Sequence, residues 1–224
     1  MKNVFIKSTL ILMIGTLVTK LLGFLIKIIF TRIIGEGINL FSLVMPTYSL
    51  LIAVTQLGLP YAISAIMARN NYRGIRIFSS IVPIAIAFNI LVIIFVFLFA
   101  PFLANTLLKN PDAYYPIISI AFILPFTTIS GILKGYYFGK QNMFPNSISN
   151  VFEQIARLLL LLTVIPLLMK KSIITAVSGY ILISAVSECV QIIIYLFFAP
   201  KNLKISLHDL KISPKIASDV FKIS

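Results

Sequence analysis

Apolar positions along this chain are gathered into six long runs, broken by short polar stretches, with none of the two-residue alternation that marks a half-buried strand. A helix crossing a bilayer needs about 20 mostly apolar residues at roughly 1.5 Å rise each. The runs at about 8–33, 40–68, 79–103, 116–137, 149–169 and 172–199 meet that length. The pattern therefore predicts an all-α integral membrane protein, a six-transmembrane-helix bundle over residues 1–200. Six crossings return the chain to its starting side, so both termini share one side of the membrane. The runs 40–68 and 79–103 carry no charge, whereas 116–137 is interrupted by Pro125 and the polar group Thr127, Thr128 and Ser130 and reads as the weakest span.

The second run contains Pro46 near one end and Gly58-Leu59-Pro60 two-thirds of the way through. Proline removes a backbone donor and clashes with the preceding turn, so this span is expected to be kinked or discontinuous there, with Gly58 and Pro60 as a hinge. Around the fourth and fifth runs, Gly131, Gly135 and Gly139 recur every four residues, a stripe that permits close helix packing. Pro145 and Asn146 then begin a new helix.

Composition agrees with the pattern: 59% hydrophobic residues, 11% charged and a mean hydropathy of +1.05 lie outside soluble usage. Charge adds orientation. Lys2, Lys7, Arg69, Arg73, Arg76, Lys134, Lys140 and the lysines from Lys201 to Lys222 fall on one side, against Lys109, Lys170 and Lys171 on the other, with Arg32 at the edge. Basic residues in short loops mark the cytoplasmic side, which places both termini there, in the cell membrane. The net charge of +13 is explained by this bias and by attraction to anionic membrane lipids, with no nucleic acid needed. The apolar run after Lys2 and Lys7 is too long for a secretory leader and has no small-residue cleavage site, so it is read as a retained span.

Three sets of charged residues stand inside the runs. Thr16, Lys20, Gly23 and Lys27 are spaced by four, three and four, hence share one helix face. Charged groups at membrane depth usually face a bundle interior or a water-filled cavity. Lys20 and Lys27, with Gly23 allowing close approach between them, would seat a diphosphate or another anion; the alternative is that Lys27 and Arg32 snorkel to the outer interface. Glu153 and Arg157, four apart, can pair near the cytoplasmic interface, as a charge pair or as part of a relay. Glu188 shares a face with Ser184, Gln191 and Tyr195. At that depth it would stay protonated or find a cation, acting as a proton or sodium relay or as a partner for Lys20 or Lys27 across the bundle.

Three stretches, TKLLGFLIKIIFTRIIGEGINLF (19–41), PTYSLLIAVTQLGLPYAIS (46–64) and GYYFGKQNMFPNSISNVFEQIAR (135–157), occur in an order that resembles the stage V sporulation protein B-like, polysaccharide biosynthesis branch of the multidrug/oligosaccharidyl-lipid/polysaccharide (MOP) exporters, relatives of the lipid II flippases. The resemblance implies two six-helix bundles facing a cavity that opens alternately to each side. The chain is similar to the first bundle alone, so a second six-helix half is expected as partner. Residues 201–224 then read as a basic cytoplasmic segment and the start of a truncated next helix, with Ser213 and Pro214 as cap and first turn and Ile216, Val220 and Ile223 at helical spacing. Lys20 stands where a first-helix arginine of lipid II flippases is expected to meet the substrate's diphosphate. The second span has no arginine, and Ile26 replaces another basic residue, so what carries over is the substrate class of lipid-linked oligosaccharide or cell-wall polysaccharide precursors.

No covalent chemistry is visible. One cysteine, Cys189, and one histidine, His208, leave no metal spacing, and there is no phosphate-binding glycine loop or Ser/His/Asp set. Neither cofactor nor enzymatic activity is expected. The functional expectation is a flippase or exporter half working by alternating access. The alternatives are a non-transporting membrane subunit or inactive fragment, and a drug/cation antiporter of the same superfamily, which would want acidic residues where the first span is basic.

Overall fold

A computed structural model describes residues 2–56, 58–69 and 74–199. Seven α-helices are present among them: α1 (Lys2–Ile34), α2 (Gly37–Gln56), α3 (Leu59–Arg69), α4 (Gly74–Phe102), α5 (Tyr114–Gly139), α6 (Phe144–Met169) and α7 (Ile173–Phe197). A π-helical turn, Leu103–Leu107, extends α4, and a short 3-10 turn, Pro111–Ala113, leads into α5. Among the described residues six segments are long and apolar enough to cross a membrane: Ser8–Ile34, Gly37–Ala68, Phe78–Leu107, Pro111–Gly139, Phe144–Met169 and Ile173–Phe197. The expected all-α, six-span architecture is the one observed. The expected tail helix with Ser213 and Pro214, the rest of 201–224 and the loop 70–73 lie outside the described residues, as do the side chains of Lys2, Lys7, Arg69 and Arg76.

The second span is two helices. α2 ends at Gln56 and α3 begins at Leu59, with Gly58 between them at φ +66°, a backbone conformation that glycine adopts without strain. Pro60 sits in the first turn of α3, where its missing N–H has no helical partner to lose. The fourth span is not the weak element its sequence suggests. α5 runs unbroken through Pro125 and is the most buried of the six, packing against α2, α3, α4 and α7. Its polar residues fold back on the helix: Thr127 and Thr128 hydroxyls both donate to the Leu124 carbonyl, at 2.9 and 3.0 Å. Polarity there marks an interior position rather than a break.

Helix pairs approach closely where glycine leaves room, which matters in lipid because apolar burial does little to drive helices together. Gly131, Gly135 and Gly139 face Pro60, Ile63 and Met67 of α3; a Cβ on Gly135 would lie 2.6 Å from the Pro60 carbonyl oxygen. Gly179 of α7 similarly abuts Leu168 of α6. α1 lies along α6, with Gly15 against Ser147 and the Ser147 hydroxyl donating to the Ile11 carbonyl at 3.2 Å. Since Ser8 bonds the Gln141 carbonyl and Gly23 faces Gln154 further along, α1 and α6 run parallel, as first and fifth spans must.

Among the described residues the buried apolar side chains form two clusters rather than one. The first takes Leu51 of α2, Val92 of α4, Leu124 of α5 and Ala185 of α7 as its inward limits. The second begins at Leu59 of α3, Ala85 of α4, Ile132 of α5 and Tyr195 of α7. Between those limits α2, α4, α5 and α7 contribute buried polar residues: Thr55, Asn89, Thr127, Thr128, Ser130, Ser187 and Gln191. A polar layer thus crosses the bundle between two apolar ones, and the break between α2 and α3 falls within it.

Candidate functional site

Glu153 and Arg157 occupy this layer from α6. They form an ion pair one helical turn apart, with the Glu153 side chain 7% exposed and that of Arg157 19%. Sequence reasoning placed the pair near the cytoplasmic interface. α6, however, starts at Phe144, so Arg157 stands at the midpoint of a 26-residue helix. Two charges at that depth are tolerated because each neutralises the other, and breaking such a pair leaves an uncompensated charge. Gln154 Nε2 also donates to Glu153 Oε2 at 2.8 Å. The Arg157 Nε is buried without a hydrogen-bond partner among the described residues.

Glu188 projects from α7 into the same layer. α6 and α7 form an antiparallel hairpin in which Tyr195 donates to Asn146 Oδ1 at 2.7 Å and Gln191 bonds Asn150. One turn onward along both helices, this register brings Glu188 level with Glu153. Ser130 Oγ of α5 and Glu188 Oε2 share a hydrogen bond of 2.7 Å. Tyr48 of α2, Tyr180 of α7 and Glu188 all lie within electrostatic reach of Arg157, and Lys134 of α5 within reach of Glu188. Four helices therefore bring two carboxylates, one guanidinium, one ammonium and two phenols toward one point.

Both sides of the cluster are closed by aromatic rings. Phe30 of α1 lies 4.0 Å from Tyr180 and 4.9 Å from Phe41 of α2, centroid to centroid, binding three helices on one side. On the other side Tyr137 stacks on Tyr195 at 5.4 Å and donates to the Tyr195 carbonyl at 2.7 Å. Away from this cluster, an apolar groove between α4 and α5 has Asn89 at its base, donating to Thr128 Oγ1 at 3.0 Å while its own Oδ1 stays unpartnered.

The lysines of α1 are elsewhere. Lys20 and Lys27 are exposed, on the edge of α1 beside the face packed on α6. Lys27 follows Gly23 by one turn and so comes level with Arg157, but among the described residues neither lysine's ammonium group has an ion-pair or hydrogen-bond partner. Glu188 does not pair with either lysine, contrary to one sequence expectation; Ser130 is its partner. Nor is Gly23 a point of tight approach within this chain, since a Cβ there would meet only Gln154 Oε1, at 3.7 Å. The tight contact is at Gly15. Gly58 and Pro60 form the break between α2 and α3, with Pro60 wedged against Gly131 and Gly135.

Two participants escaped sequence reasoning. Tyr180 lies four residues before Ser184 and eight before Glu188, so the polar stripe of α7 already contained it. Tyr48 sits in an uncharged span, and nothing short of the packing of α2 against α5 and α7 marks it.

The family model for polysaccharide biosynthesis proteins matches residues 5–215. Stage V sporulation protein B of Bacillus subtilis (strain 168) is 35% identical over 220 residues, 94% of this chain and 42% of that protein. Lipid II flippase MurJ of the same organism is 26% identical over 184 residues, covering 76% of this chain and 34% of the flippase. Sporulation protein YkvU, also from Bacillus subtilis, is 29% identical over 166 residues, 71% of this chain and 36% of its own. The chain thus spans about two fifths or less of the length of these curated relatives. No solved structure matches it.

Proposed function

The chain belongs to the polysaccharide biosynthesis protein family, and from that premise we propose that it is the N-terminal half of a flippase or exporter for lipid-linked oligosaccharide or cell-wall polysaccharide precursors. The observation that carries this reading is the pair Lys20 and Lys27, exposed near mid-depth on one edge of α1 with no acidic side chain paired to either among the described residues. A lysine at the bilayer centre costs about 2.5–3.5 kcal/mol on insertion scales, so such a position needs water or a counter-charge. A second six-helix half facing α1 across a cavity supplies the water; the diphosphate of a lipid-linked substrate supplies the charge.

Lys20 and Lys27 are seven residues apart, hence roughly 10 Å along the helix, two turns apart on one face, so their long, flexible side chains can converge on the diphosphate of one head group. In this mechanism the lipid tail stays in the bilayer while the head group crosses as the two halves rock. The protein makes and breaks no covalent bond. A basic edge disfavours a drug/cation antiporter, whose cargo would be repelled. Both termini are assigned to the cytoplasm, on the side rich in Lys and Arg.

Complementation tests this reading. The chain, with and without a matching second bundle, is expressed in cells depleted of their own flippase, and lipid-linked precursor reaching the outer leaflet is followed. Rescue that needs the second bundle, and that falls at least tenfold when Lys20 is changed to Ala, is the expected result. Undiminished rescue by Lys20→Ala would refute the anion-seat role, and no rescue by inserted protein under either condition would refute the substrate class.

A further inference from the structure

The hydrogen bonding of Ser130 makes a statement about Glu188. The Ser130 Oγ lies 2.7 Å from Glu188 Oε2 and 3.1 Å from the Thr127 carbonyl oxygen. A serine hydroxyl carries one hydrogen and cannot donate to both. A backbone carbonyl only accepts. Both contacts are satisfied at once if Ser130 donates to Thr127 and Glu188 itself carries the hydrogen, donating to Ser130 Oγ. The charge balance points the same way. Arg157 is already paired with Glu153, level with Glu188, and among the described residues no cation comes within ion-pair distance of Glu188.

The groups facing Glu188 are Ser130 and Lys134 from α5, Glu153 and Arg157 from α6, Tyr48 from α2, and Cys189 and Tyr195 on its own helix. Lys134, half-buried, leans over the Phe138 ring, 5.7 Å from its centroid, rather than contacting the carboxylate. On α1, Lys20 and Lys27 stand near this depth and are both exposed. An ionised Glu188 would thus stand beside a second carboxylate with one guanidinium to share, and burying a charge without its own partner is strongly unfavourable.

We propose that Glu188 is a proton-binding site: in the arrangement seen here it holds one proton, and losing it makes Glu188 compete with Glu153 for Arg157. The step balances simply. One proton from water joins the carboxylate as an O–H, and its release returns an anion that draws the free Nε edge of Arg157 toward α7. Because α6 and α7 carry the two carboxylates, exchange of the guanidinium between them shifts one helix against the other. The proposal concerns the charge of this bundle and holds whether or not the chain moves a glycan precursor.

Infrared spectroscopy of the purified full chain in nanodiscs, titrated from neutral to alkaline pH, tests it. One protonated-carboxyl band per chain is expected at neutral pH, absent in Glu188→Gln and retained in the Glu153→Gln/Arg157→Gln double variant, where no stranded guanidinium draws the proton off Glu188. Glu188→Gln can keep a hydrogen bond to Ser130 and is expected to fold. Ser130→Ala offers a second reading, since it removes the acceptor and should move the band while leaving its amplitude. Absence of the band at neutral pH, its survival in Glu188→Gln, or its loss on adding sodium at constant pH would each overturn the proposal, the last in favour of a sodium site.

Discussion

Removing one member of the Glu153–Arg157 pair should be far more damaging than removing both. Either residue alone would leave a charge at mid-bilayer depth inside a bundle where Glu153 is 7% and Arg157 19% exposed. Breaking a buried pair typically costs about 3–5 kcal/mol, whereas replacing both partners by neutral residues of similar volume is often nearly neutral. Glu153→Gln and Arg157→Gln should therefore each shift the unfolding equilibrium by roughly a hundredfold or more, since about 1.4 kcal/mol is a factor of ten. The double variant should recover most of that loss, giving a coupling of at least about 2 kcal/mol. The two singles also differ in kind. Arginine cannot shed its charge, while a stranded Glu153 can take up a proton. Glu153→Gln should accordingly lean on Glu188, and adding Glu188→Gln should then destabilise it further although Glu188→Gln alone does little. Denaturant unfolding in detergent, followed by loss of helical signal, measures all five variants. If the singles prove additive, or each lies within about 0.5 kcal/mol of the parent, the pair is not the organising charge of this core.

The glycine contacts make a contrast on the same assay. Gly135→Ala puts a methyl 2.6 Å from the Pro60 carbonyl oxygen and should cost about 1–3 kcal/mol, whereas Gly23→Ala, with Gln154 Oε1 at 3.7 Å, should leave stability unchanged. Tyr195→Phe strips Asn146 Oδ1 of a buried donor and should cost about 1–3 kcal/mol, read by thermal unfolding. For topology, single cysteines in place of Gln141 and Lys170, introduced after replacing Cys189, should label from opposite sides of the membrane, Gln141 from the cytoplasm; labelling from one side would overturn the six-span orientation.

Much of this architecture was legible in the chain because hydropathy acts locally. Span ends shift by a few residues between pattern and structure: the fifth span begins at Phe144 rather than about 149, since Phe144 and Pro145 suit a helix start as well as the residues after them. The Gly58-Leu59-Pro60 break and the Gly131, Gly135 and Gly139 stripe were also readable, each being a direct consequence of backbone chemistry at known spacing. Polar residues misled. Thr127, Thr128 and Ser130 looked like an interruption of α5, yet they identify it as the most enclosed helix, because a hydroxyl can satisfy itself on its own helix wherever the neighbours are protein.

The amino-acid sequence by itself determined the class of molecule, the number of crossings and the set of charges that must be accommodated in lipid, because the free energy of placing each residue in a bilayer depends mainly on its own chemistry. The Glu153–Arg157 contact, one turn apart on α6, was legible in the spacing; which charges meet from different helices was decided by tertiary structure. Helical spacing offered Lys20, Lys27 and Glu188 as interior residues, with snorkelling as the alternative for Lys27, and set Glu153 and Arg157 near the cytoplasmic interface. Packing sorts them: α1 joins the bundle mainly through α6, leaving its lysines at the edge, while α5, α6 and α7 close around Glu153, Arg157, Glu188 and Ser130. That sorting rests on interhelical register and on the order of helices around the bundle, properties of pairs of segments far apart in the chain, which no periodicity within one segment can encode.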